Sequence, residues 1–134
     1  MRRPTSLALA LLLSALAAPA ARAEVHPFYQ QRLAAGTLAL SQGDAAGAER
    51  DLRIAAFGLL DEPARLVVAL AHLALAEQAT GDQGGLDETL QRLLTVEHRF
   101  AVWGAAELPP ATRAAAEALL AELGAGGALF QLTA

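Results

Sequence analysis

A chain of 134 residues has room for one domain. It contains no cysteine, which excludes a disulfide framework, a lipid-anchoring thiol and thiol chemistry. It carries a formal charge of −4 with no lysine at all, a poor electrostatic match for nucleic acid or anionic lipid.

The first segment reads as an export address rather than as fold. Arg2 and Arg3 open it, and residues 7–18 form an apolar run too short to span a bilayer comfortably. Pro19 breaks that run, and Ala21-Arg22-Ala23 places small residues where a signal peptidase reads. Cleavage after Ala23 would leave Glu24 first and take three arginines away, moving the formal charge from −4 to −7. The expected organisation is a signal peptide over 1–23, a helical domain over 24–123 and a Gly-rich tail over 124–134, in a periplasmic or secreted protein. No stable membrane insertion is expected once the signal is gone.

Five helices follow. Pro27 opens the first, with Tyr29, Leu33, Gly36 and Leu40 at helical spacing. Gln42-Gly43-Asp44 ends it, and Asp44 suits the N-cap of the second. Ala48, Leu52, Ala55 and Leu59 give the second helix its buried stripe, with Glu49 and Arg53 paired one turn apart. Pro63 fits the first turn of a third helix that carries Leu66, Leu70 and Leu73 and runs to about Ala79. Gly81-Asp82 introduces a fourth, with Leu86, Leu90, Leu93 and Leu94 as its stripe and Glu88 and Arg92 as an i,i+4 pair, ending near His98 or Phe100. Residues 104–108 read as loop. Pro109-Pro110 opens a fifth helix that Gly124 stops after Leu123. β-branched residues are few and no alternation of period two is sustained, so the fold class is all-α.

Gly43-Asp44 and Gly81-Asp82 lie 38 residues apart, and each joins an Ala/Leu-rich helix to an amphipathic one. That is the signature of a repeated helix-turn-helix unit, which buries its stripe by stacking on the next unit. Gly36 stands where two helices of a hairpin touch, Ala48 and Ala55 at the small positions of the second helix, and Leu73-Ala74 at a large-small pair in the second unit. In these features residues 28–99 resemble the tetratricopeptide-repeat family. The second unit departs from the pattern: Leu86 and Leu93 stand where alanines are expected, and the first unit has extra residues at Gly58-Leu59-Leu60 before Pro63. An unrelated helical bundle with similar loops accounts for the same features. The resemblance implies a short antiparallel array of two hairpins with a C-terminal capping helix.

It also implies a concave face lined by the first helix of each pair. On this chain that face is Gln30, Leu33, Thr37 and Leu40, then Val68, Ala71, Leu75 and Gln78. The set holds no arginine and no lysine, so a basic clamp for a C-terminal carboxylate is not supported. An apolar face suits an amphipathic helix or an extended apolar peptide. The fifth helix or the Leu129–Leu132 stretch of the tail is the alternative occupant, and self-association through the same face the alternative function.

Chemistry has little to work with. His26, His72 and His98 have no neighbours at metal-triad spacing; His72 reads as a packed helix residue and Glu97-His98-Arg99 as a solvated helix end. The acids fall at caps and on outer faces, as with Asp44, Asp61, Asp82 and Asp87, rather than paired across a cleft. Ser41 has no nearby histidine and no strand-turn context, and Gly84-Gly85 lacks the lysine of a phosphate loop. No enzyme activity, cofactor or metal is expected. Phe100 and Trp103 read either as a plug between the fourth and fifth helices or as an aromatic anchor for a partner.

Overall fold

A computed structural model describes residues 26–124. The signal-peptide reading of 1–23 and the tail beyond Gly124 lie outside the described residues. What is described is all helical: α1 (Pro27–Ser41), α2 (Ala45–Gly58), α3 (Pro63–Thr80), α4 (Gln83–Phe100), a 3-10 turn (Trp103–Ala105) and α5 (Pro110–Glu122). None of these helices is long and apolar enough to cross a membrane.

The two Gly-Asp turns are built alike, bond for bond. Gly43 and Gly81 both adopt the left-handed conformation, at φ 81° and 80°, where a side chain would be strained. In each, the aspartate amide reaches back five residues, Asp44 to the Ala39 carbonyl at 2.9 Å and Asp82 to the Glu77 carbonyl at 3.0 Å. The glycine amide closes the inner bond, to Leu40 and to Gln78. This is the Schellman ending, which satisfies carbonyls that the helix itself leaves open. Each aspartate then caps the next helix, Asp44 Oδ1 accepting from Gly47 N at 2.9 Å and Asp82 Oδ1 from Gly85 N at 3.0 Å.

α3 is the central element. It packs against α2 and α4 on either side and against α1 and α5 on its remaining faces. Leu66, Val67, Leu70 and Ala74 are buried in it, and Ala48, Leu52 and Ala55 of α2, with Leu59 just after that helix, are all at 0 % exposure. α1 meets α2 through Gly36, where a Cβ would stand 2.5 Å from Leu52 Cγ. At the other end of this hairpin the Tyr29 ring lies directly over Gly58, in space a side chain there would need.

Three sequence expectations are corrected by burial. Glu97 is not in a solvated helix end but 1 % exposed, and its Oε2 accepts the Trp103 amide at 2.6 Å. Glu77 and Asp51, at 1 % and 8 %, are buried acids rather than outer-face ones. Arg92 makes no ion pair with Glu88 among the described residues; it donates to the Ala56 carbonyl at 3.1 Å, tying α4 to α2. In each case the side chain lies inside a helix-helix seam that its own helix's periodicity does not reveal.

The aromatic pair divides. Trp103 is the plug, 1 % exposed, whereas Phe100 is 45 % exposed. Trp103 Nε1 donates to Glu117 at 3.0 Å, and Arg113 lies over its ring while donating to the Trp103 and Ala106 carbonyls, both at 2.8 Å. These bonds lock α5 onto the 3-10 turn that follows α4.

Candidate binding groove

The face expected from α1 and α3 is present as two hollows that follow one another along α3. In the first, of about 300 Å³, Leu33 and Val68 meet Ala64, Arg65, Ala105 and Glu107. In the second, of about 440 Å³, Thr37, Leu40 and Ser41 of α1 meet His72 and Leu75 of α3. Pro109, Ala111 and Thr112 close its far side. The first turn of α5 therefore walls the groove and leaves it unfilled, because the hollow lies between that turn and Leu40 and Leu75.

Five of the expected residues are brought together here: Leu33, Thr37, Leu40, Val68 and Leu75. Ala71 is not among them. It is 0 % exposed and belongs to the core, a correction to the expected face. Gln30 and Gln78 are exposed but line neither hollow. At about 100° per residue, Ala71 sits roughly 60° round α3 from Val68 in one direction and His72 roughly 40° in the other. The open stripe of α3 is turned toward His72, and Ala71 falls under the neighbours that cover the opposite side. Sequence reasoning missed His72, Ser41 and the start of α5 as groove residues. The local signal for His72 was its i+4 spacing from Val68, which places both on one face.

Three polar side chains of the second hollow, on α1 and α3, are engaged with their own helices. Thr37 Oγ1 donates to the Ala34 carbonyl at 2.9 Å and Ser41 Oγ to the Leu38 carbonyl at 2.7 Å. His72 is 8 % exposed, and its Nδ1 lies 2.9 Å from the Val68 carbonyl. Burial holds the imidazole below its ordinary pKa, against the opposing pull of that carbonyl.

A second, charged cluster lies where α2, α3 and α4 meet. Arg53 Nη2 stands 2.6 Å from Glu49, 2.6 Å from Asp82 and 3.5 Å from Glu77. Thr89 donates to Glu77 Oε1 at 3.1 Å, while Glu77 Oε2 is buried without a hydrogen bond. Burial raises the Glu77 pKa, opposed by Thr89 and Arg53. Asp82 is lowered, first by the Gly85 amide and then by Arg53. One guanidinium shared among three carboxylates serves as a clamp between helices. Among the described residues no group of three or more histidine, aspartate or glutamate side chains gathers as a metal site.

No family model matches the chain, nor does any curated protein or solved structure.

Proposed function

We propose that the chain is an exported helical-repeat adaptor that binds a protein or peptide segment in the groove between α1, α3 and α5. The observation that carries this reading is the pair of hollows aligned along α3, with Leu33, Leu40, Val68 and Leu75 among their lining. Apolar side chains held half-exposed on rigid helices favour an apolar segment of a partner, because its burial releases water from both surfaces. The matching Schellman turns at Gly43 and Gly81 support the repeat reading. In this reading the buried acids hold the helices together, Glu77 through Arg53 and Thr89 and Glu97 through the Trp103 amide.

Export is part of the same proposal, to the periplasm or the outside, on the strength of Arg2, Arg3, the apolar run and Ala21-Arg22-Ala23. N-terminal sequencing of protein from the envelope fraction should begin at Glu24. Intact Met1 on the soluble cytoplasmic protein would count against it.

The groove is tested by Leu40→Glu combined with Leu75→Glu. Both leucines are half-buried, so the pair should cost about 1 kcal/mol per site and leave the helices folded. Capture of a partner from envelope extracts should be abolished by the double variant and retained by the unaltered chain. Equal capture by both would refute the groove. Self-association is the second reading, favoured by Phe57, Leu60 and Phe100, which stand 72 %, 58 % and 45 % exposed outside the groove. Concentration-dependent mass separates it from the first.

A further inference from the structure

The hollow between α1, α3 and the start of α5 sets a buried imidazole on one wall against free backbone donors on the other. A carbonyl oxygen only accepts, so the contact of His72 Nδ1 with the Val68 carbonyl places the ring proton on Nδ1. The residue is 8 % exposed, and its Nε2 has no hydrogen bond among the described residues. Yet Nε2 is not among the atoms sealed from solvent, so it opens onto the hollow that His72 lines.

The donors come from α5. A helix leaves its first-turn amides without partners. Here Pro109 and Pro110 have no N–H to leave, and the Arg113 amide reaches the Pro109 carbonyl at 3.0 Å. That leaves the amides of Ala111 and Thr112, which have neither a backbone acceptor nor a side-chain cap. Both residues line the hollow, and Thr112 is half-buried with its hydroxyl unbonded. The helix dipole adds positive potential at this end. No charged side chain of α1, α3 or α5 lines the hollow. The charged groups that flank it face elsewhere: Arg113 donates to the Trp103 and Ala106 carbonyls, Arg65 pairs with Glu62, and Glu107 lines the first hollow.

A carboxylate fits both walls together. One oxygen accepts from the α5 amides and the Thr112 hydroxyl. The other meets Nε2, which a neutral ring leaves without a proton. Binding therefore brings one proton from solution onto Nε2 and leaves an imidazolium–carboxylate pair. A primary amide fits the same positions but gains less from the helix dipole, because it carries no charge. Leu40, Leu75 and Pro109 supply walls for a short alkyl stem.

We propose that this hollow binds an aliphatic monocarboxylate, held between Nε2 of His72 and the free first-turn amides of α5. The buried imidazole facing it is what makes this helix start a site. The inference goes beyond the groove reading: the ligand is a small acid rather than a partner chain, and the leucines serve only as walls.

The test titrates hexanoate and hexanamide, alike in stem and shape, into the protein at constant ionic strength. Affinity is read by NMR from the methyl resonances of Leu40 and Leu75, and protonation of His72 from its ring nitrogen shifts. At about pH 6 hexanoate should bind saturably and about tenfold more tightly than hexanamide, the scale of one charge-assisted hydrogen bond. It should bring a proton onto Nε2. Its affinity should weaken as pH rises from about 6 to about 8, while that of hexanamide hardly changes. His72→Leu should erase both the preference and the pH dependence. Should that variant fail to fold, the ring nitrogen shifts of the unaltered chain decide alone. Equal affinity for the two probes, hexanoate bound with Nε2 left unprotonated, or binding of neither would each overturn the proposal. The groove reading is decided separately, by partner capture with the Leu40 and Leu75 double variant.

Discussion

Gly36→Ala is the sharpest test of how α1 is held. In an open helix the change should stabilise, since alanine is favoured over glycine by about 0.5–1 kcal/mol. Here the new methyl would stand 2.5 Å from Leu52 Cγ, 2.9 Å from Leu52 Cδ2 and 3.2 Å from the Leu52 backbone nitrogen. Ordinary carbon contacts lie at about 3.5–4.0 Å, so the methyl is roughly an ångström too close. Leu52 is 0 % exposed and has nowhere to swing, and its backbone cannot yield without moving α2. Overpacking of this kind costs about 1–3 kcal/mol, more than the propensity gain, so the net effect is destabilising. At about 4–8 °C per kcal/mol for a domain of this size, the melting temperature should fall by several degrees. Gly84→Ala is the matched control: it lies in the first turn of α4, and an added Cβ there meets nothing within 4 Å. It should be neutral or raise the melting temperature. A Gly36→Ala protein as stable as the Gly84→Ala control would mean that α1 and α2 do not meet at Leu52, and the packing argument would fall with it.

Glu77→Gln should raise the melting temperature at pH 7 and lose that advantage on acidification. A carboxyl whose folded pKa is raised contributes its full stability below the ordinary 4.5 and loses it as pH rises through the folded value. A glutamine that melts no higher than glutamate at pH 7 would refute the burial cost. Asp82 has the opposite sign: its lowered pKa gives stability above the ordinary 3.8 that is lost as pH falls. Asp44→Ala should cost about 0.5–2 kcal/mol as a lost helix cap, and Asp82→Ala more, because Asp82 also pairs with Arg53 at 2.6 Å. Equal losses in urea denaturation would show the Arg53 contact to be idle. Trp103→Phe keeps a ring but leaves Glu117 without its 3.0 Å donor, so it should cost about 1–3 kcal/mol. Unchanged denaturation would place Glu117 in water rather than against the ring.

The helices were legible because their punctuation is local. Gly43-Asp44, Gly81-Asp82, Pro63 and Pro110 act on the backbone within a turn of where they stand, and the elements begin and end at them. The contact at Gly36 was legible for a related reason, since a glycine in mid-helix has a cost that close packing explains. The apolar stripes read for α2 and α4 are buried, apart from Leu94, which is partly buried.

α3 could not be read in this way. Its apolar residues run almost all round, so the pattern does not say which face each neighbour covers. Packing decided that Ala71 goes under cover, that His72 faces the groove and that the first turn of α5 forms its far wall. Packing also decided that Glu77 and Glu97 are enclosed, the first because Arg53 and Thr89 come to it from α2 and α4, the second because the Trp103 amide folds back onto it. An acidic residue reads as surface in sequence because its desolvation is costly. The partners that offset the cost for Glu77 lie 24 and 12 residues away, and only the folded chain brings them within reach.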